Sequence, residues 1–176
     1  MDYYLGIDLG GTNLRAAVAT ESLKILGKVK TSTPQNATGA EITDEIIQTA
    51  ERACIDAGCD LSDIVSAGVG SVGPFDYDAG TINDPANISI AEGPVELVDP
   101  LRERLGIDTV VLKNDATCGV IAEAHLAEQT PENMVYLTIS TGIGAGVIVD
   151  GRVLSGANGN IAEVGHMTLD PEEKIQ

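Results

Sequence analysis

Apolar and polar positions set the plan of this chain before any single residue does. Residues 3–7 form a short apolar run, and apolar side chains then alternate at Leu14, Ala16 and Val18 and again over 25–32. Short blocks of period two are strands, and a Gly-Gly turn between the first two makes them a tight hairpin. Over 43–57 the period changes: Ile46, Ile47, Ala50, Ala53, Cys54 and Ala57 recur at three and four, an amphipathic helix stopped by Gly58. A buried strand follows at 64–71, a short helix at 95–105 ended by Gly106, a strand at 109–112 and an alanine-rich helix at 116–126. Strands at 134–139 and 145–149 flank a glycine turn. This order predicts an α/β fold, a mixed five-stranded sheet with helices on its faces. The last two strands, opening on a glycine hairpin as the chain itself does, read as the start of a second lobe. The expected division is 1–130 and 131–176.

The candidate chemistry sits where these blocks end. Asp8, Gly10, Gly11 and Thr12 close the first strand. They are either ordinary turn chemistry or a phosphate site, in which backbone amides face an anion, Thr12 adds a hydroxyl and Asp8 serves magnesium. Thr141 and Gly142 lie in a second strand–glycine–strand turn that can grip the same polyphosphate. Gly68, Gly70 and Gly73 match a dinucleotide fingerprint, but a loop beginning at Pro74 follows instead of the required helix, so that reading is rejected. Asp115 leaves a strand where a helix begins. It is either an N-cap or a base that accepts a hydroxyl proton during phosphoryl transfer, with Asn114 beside it for the same substrate. Glu163 and His166 share a loop and can hold a polyol. His125 is the only other histidine, and no cysteine lies near His166 in sequence, so a metal there lacks partners.

Composition narrows the partners. Ten basic against 27 acidic residues give a net charge of −17, spread along the chain, which repels nucleic acid and anionic membranes alike. A dispersed acidic surface with few lysines is what halophilic cytoplasmic proteins carry, and a plain acidic mesophilic protein is the alternative. With four Tyr, one Phe and no Trp, the core must be aliphatic. Cys54, Cys59 and Cys118 form no even framework and read as reduced residues of a cytoplasmic protein. No apolar run reaches bilayer length.

Asp8-x-Gly10-Gly11-Thr12, Asn114-Asp115-Ala116, Ser140-Thr141-Gly142-Ile143-Gly144-Ala145-Gly146 and Glu163-x-Gly165-His166, in that order, resemble the motifs of ROK-type sugar kinases. The resemblance covers essentially the whole chain. It implies a ribonuclease-H-like lobe of the actin/hexokinase superfamily and a glucokinase-like, ATP-dependent phosphorylation of a hexose, glucose at its 6-hydroxyl. Asp115 would be the base, with Gly73, Asn87, Asn114, Glu163 and His166 at the sugar. Asp8, Gly10, Gly11, Thr12, Thr141 and Gly142 would face phosphate and magnesium, Asp8 indirectly. Three features depart from the family pattern: Val72 before Gly73, Ala86 between Pro85 and Asn87, and Ala162 where glycine usually precedes Glu163. The family's cysteine-rich zinc motif, which would join His166, and its adenosine-binding segment are not found. The chain is therefore expected to be the N-terminal part of a kinase, of haloarchaeal type, that forms dimers or tetramers. The alternative implied by the same family is a non-catalytic sugar-sensing regulator.

Overall fold

The computed structural model describes residues 2–85, 87–140, 142–157 and 159–167. Its contacts form two compact units, Met1–Lys113 and Asn114–Gln176.

In the first unit, β1 (Tyr3–Leu9), β2 (Asn13–Thr20) and β3 (Ile25–Ser32) form the expected antiparallel meander. The short β4 (Ala37–Thr38) leads into α1 (Gly39–Ala57), and β5 (Ile64–Ser71) returns parallel to β1. A loop region carries β6 (Phe75–Asp76), β7 (Thr81–Ile82), β8 (Ile90–Glu92) and β9 (Val95–Glu96). Then come α2 (Val98–Leu105) and β10 (Thr109–Asn114). The main sheet has five strands in the order β10-β5-β1-β2-β3, the mixed sheet that the pattern predicts.

Its core is aliphatic. Leu5, Ile7 and Leu9 of β1 and Leu14, Ala16 and Val18 of β2 are buried in one cluster with Ile42, Ile46, Ile47, Ala50, Ala53 and Cys54 of α1. The helix crosses β3 so closely that a Cβ on Gly27 would lie 2.3 Å from the Ala57 nitrogen. Only glycine leaves room for backbone at that distance.

Both ends of α1 are set by local chemistry. The helix begins four residues before the expected start because Thr38 and Glu41 form a capping box. Thr38 Oγ1 accepts from the Glu41 amide at 3.2 Å, and the Glu41 carboxylate accepts from the Thr38 amide at 2.8 Å. Those bonds to Thr38 hold the Glu41 carboxyl below its ordinary value. At the other end Gly58 takes φ 69°, and the amides of Gly58 and Cys59 donate to the carbonyls of Ile55 and Cys54. This is a Schellman close, which brings Cys54 and Cys59 together. Burial, and then Cys59 beside it, push the Cys54 thiol up to about 12. Cys54 and Cys59 are both free thiols.

Helix α2 starts three residues later than the pattern suggests. Val95 is fully buried and pairs across β9 with Ile82 of β7, so sheet pairing takes the residues that periodicity had given to the helix.

In the second unit α3 (Asp115–Leu126) packs on β11 (Met134–Ile139) and β12 (Ile143–Val149), with β13 (Arg152–Val153) beyond β12. β12 begins two residues earlier than expected, because Ile143 pairs with Ile139 to close the hairpin. Glycines bring helix and sheet together: a Cβ on Gly146 would lie 2.2 Å from the Ala116 carbonyl oxygen, and one on Gly119 would lie 2.4 Å from the Tyr136 ring. Because α3 rests on β11 and β12, the compact units divide after Lys113 rather than near 130. On the sheet face away from α3, Val135, Leu137 and Ile139 are 61, 55 and 76% exposed.

Candidate active site

The turn between β1 and β2 is built with more support than a bare hairpin has. The segment after β3 clamps it: Thr33 Oγ1 donates to the Gly10 carbonyl at 2.6 Å, the Thr33 amide to the Thr12 carbonyl at 3.0 Å, and Gln35 Nε2 to the Gly11 carbonyl at 2.8 Å. From behind, Ser71 Oγ, wholly buried, donates to the Leu9 carbonyl at 2.8 Å. One expectation is corrected here. The Gly10 amide does not face an anion, because it donates to the Asn13 carbonyl at 3.0 Å to close the turn. The amides of Gly11 and Thr12 remain as the candidate donors to phosphate.

Gly11 and Asn87, 76 residues apart in sequence (87 − 11), are neighbours. A Cβ on Gly11 would lie 2.2 Å from the Asn87 carbonyl oxygen. Gly11 is thus required for the close approach of Asn87 as well as for the turn. The Asn83 amide donates to the carbonyl of Pro74, next to Gly73, at 3.1 Å. Gly10, Gly11, Thr12, Gly73 and Asn87 are therefore gathered at one end of this unit, with Asp8 at the end of β1. Asp8 is not alone: Arg15 Nη1 donates to its Oδ2 at 2.5 Å. Arg15, Thr33, Gln35 and Ser71 are the residues that motif reading missed. Only Arg15 had a signal, as the residue opposite Asp8 once the hairpin register is drawn.

In the second unit the two readings of Asp115 separate. The N-cap of α3 is Asn114, whose Oδ1 accepts from the amides of Ala116 at 2.9 Å and Thr117 at 3.4 Å. Asp115 is the first residue inside the helix, with its Oδ1 on the Ala116 amide at 2.8 Å. The cap is supplied by the neighbour, so the helix does not need Asp115 in that role. Asn114 has committed its oxygen and offers a substrate its amide nitrogen.

The first turn of α3 lies against the start of β12 through Ala116, Gly144 and Gly146. The segment holding Glu163 and His166 meets the same place, since a Cβ on Gly165 would lie 2.5 Å from the Ile143 carbonyl oxygen. Asp115, Asn114, the Gly142 turn and the Glu163–His166 segment are thus brought to one corner. His166 Nε2 lies 4.0 Å from Glu163 Oε2, with both side chains exposed. Gly142 accepts a bond from the Ser140 amide at 2.9 Å; Thr141 lies outside the described residues.

The ROK family profile matches residues 4–175. The chain belongs to the ROK family. A glucokinase of Pyrobaculum calidifontis is 36% identical over 97% of this chain and 51% of its own length, and one of Halalkalibacterium halodurans is 32% identical at the same two shares. Among solved structures, a ROK hexokinase from Thermus thermophilus superposes with TM-score 0.80 at 38% identity, over 97% of this chain and 54% of that one. A ROK glucokinase from Streptomyces griseus in complex with glucose and AMPPNP gives TM-score 0.77 at 30% identity, over 97% and 52%. A ROK transcriptional regulator gives 0.79 at 25% identity, over 97% and 42%. This ROK chain spans about half the length of the curated relatives it matches. These likenesses confirm the actin/hexokinase-like α/β fold.

Two metals implied by the ROK resemblance fare differently. Magnesium keeps much of its water and takes one or two protein carboxylates besides substrate phosphates. Asp8, half exposed near the end of the strand that leads into the glycine turn, fits that habit. Zinc needs a closed set of four ligands. Among the described residues no group of three or more His, Cys, Asp or Glu stands together; a zinc at His166 would need cysteines from outside the described residues. No helix among the described residues is long and apolar enough to cross a membrane.

Proposed function

We propose that the complete protein is an ATP-dependent sugar kinase that phosphorylates glucose at its 6-hydroxyl, and that this chain carries its base and its phosphate turn. The observation that carries the reading is Asp115: it is relieved of the capping role by Asn114 and stands at the corner where the first turn of α3, the glycine turn before β12 and the Glu163–His166 segment meet. The relatives named glucokinase, and a structural neighbour titled as a complex with glucose and AMPPNP, support the same substrates.

In this reading the Asp115 carboxylate accepts the proton of the attacking hydroxyl as its oxygen bonds to the γ-phosphorus and ADP leaves. Within the second unit, Asn114 Nδ2, Glu163 and His166 are the groups for sugar hydroxyls, and Thr141 and Gly142 are its candidates for phosphate. Within the first unit, Asn87 and the Gly73 loop are candidates for sugar, and the amides of Gly11 and Thr12 are donors to phosphate oxygens. Magnesium, when bound, supplies positive charge near the phosphates, and Asp8 reaches it through water.

The test is ATP- and magnesium-dependent phosphorylation of glucose, mannose, fructose and N-acetylmannosamine, in molar KCl, by this chain and by the complete gene product. Asp115→Asn in the complete product is expected to lower kcat on the order of 10²–10⁴-fold, the usual worth of a general base, with glucose affinity little changed. Turnover near wild type would reassign the base. The likeness to a ROK regulator favours a second reading, a sugar sensor without kinase activity. Its distinguishing result is tight glucose binding with no phosphorylation, and the net charge of −17 weighs against a DNA partner for this part of the molecule.

A further inference from the structure

The ion pair between Asp8 and Arg15 has no place in the motif that drew attention to the turn. Across the antiparallel hairpin Asp8 stands directly opposite Arg15, and directly opposite residues share a face. On its other side Asp8 stands opposite Gly70 of β5, which has no side chain to offer. Arg15 in turn stands opposite Lys30 of β3, a like charge. The row across the sheet is thus empty, acid, base, base. Arg15 is pushed from one side and drawn to the other, and Asp8 has one lateral partner. Asp8 Oδ2 is engaged at 2.5 Å while both side chains remain nearly half exposed, so the pair sits at the surface of the turn rather than inside the core.

We propose that Arg15 is a positioning residue for the phosphate turn: it fixes the Asp8 carboxylate through one oxygen and cancels its charge, so that a divalent cation enters together with a polyphosphate rather than alone. This deepens the kinase reading and rests on the β1–β2 turn being its phosphate site. An isolated, half-exposed carboxylate in so acidic a chain attracts bare divalent cations. With Arg15 in place the cation meets a neutral pair, and only a ligand that brings its own negative oxygens to the Gly11 and Thr12 amides compensates for sharing Asp8 with the guanidinium. Arginine suits this better than lysine because its planar fork can hold one carboxylate oxygen and still donate to a phosphate.

The probe is Mn²⁺, followed by electron paramagnetic resonance of the free ion, on the 176-residue chain, first without nucleotide and then with ATP. Asp8→Asn defines the part of the binding that belongs to this carboxylate. Removing the positive charge with Arg15→Gln is expected to tighten that Asp8-dependent binding of bare Mn²⁺ on the order of five- to tenfold at low salt, and the gain should shrink as KCl screens it. Arg15→Lys keeps the charge, so bare Mn²⁺ should bind as in wild type, while Mn²⁺ with ATP binds more weakly for want of the fork. Equal Asp8-dependent affinities in wild type and Arg15→Gln, or a weaker one in the variant, would overturn the proposal. Failure of the kinase reading shows elsewhere, as absence of sugar phosphorylation by the complete product, whatever Arg15 does to Mn²⁺.

Discussion

Ala162 is a residue where sequence and backbone disagree. It occupies φ 61°, the left-handed region, immediately before Glu163. An L-residue there costs about 1–2 kcal/mol, and ROK-type motifs usually carry glycine at this point. Glycine's freedom in the unfolded chain takes back ~0.4–1 kcal/mol of the relief. Ala162→Gly is therefore expected to raise stability by about 0.5 kcal/mol, read as a higher urea midpoint at unchanged slope. A lower midpoint would mean that the loop before Glu163 does not need that conformation. Asp115 teaches a related point. Asn and Asp are equally good caps, so the pair Asn114-Asp115 leaves open which of them caps the helix. Only the hydrogen bonds from Ala116 and Thr117 to Asn114 decide it. Gly11 was legible as a turn residue but not as the floor under Asn87, since nothing local links positions so far apart.

Among the elements, the strands of the meander were readable because alternation is local and each strand buries one face. Helix α1 was readable in its body and misjudged at its start, although the capping box Thr38-Gly39-Ala40-Glu41 lies in plain sequence. Apolar period alone cannot register a first turn whose function is polar. That turn makes its own prediction. Thr38→Ala should cost ~1 kcal/mol, as the loss of a Thr cap usually does. Glu41 adds a pH dependence. Its folded value lies below the ordinary 4.5 because of its bonds to Thr38, so its contribution is present above 4.5 and is lost as pH falls through the folded value. Stability measured from pH 6 down to pH 3 should therefore fall less steeply in Glu41→Gln than in wild type, while an identical acid limb would remove Glu41 from the account. At α2 the failure was of the other kind: Val95 fits a helix by pattern and was taken by pairing with Ile82, a long-range choice.

At the scale of the whole molecule, charge and exposed apolar surface meet. A chain of net charge −17 repels itself, so its melting temperature is expected to rise from near-zero to molar KCl as screening relieves that strain. Greater stability without salt would end the halophilic reading. The face of β11 turned away from α3 adds a practical tension. Val135, Leu137 and Ile139 stand in water there, with Ile143 half exposed beside them, and self-repulsion is what keeps one copy's bare strand from another's. The salt that firms the fold should also make solutions of this chain sticky. Light scattering should register an apparent mass that climbs with KCl in the wild type and stays flat in Leu137→Glu. For anyone preparing the protein, the best buffer for folding and the best buffer for storage would then differ.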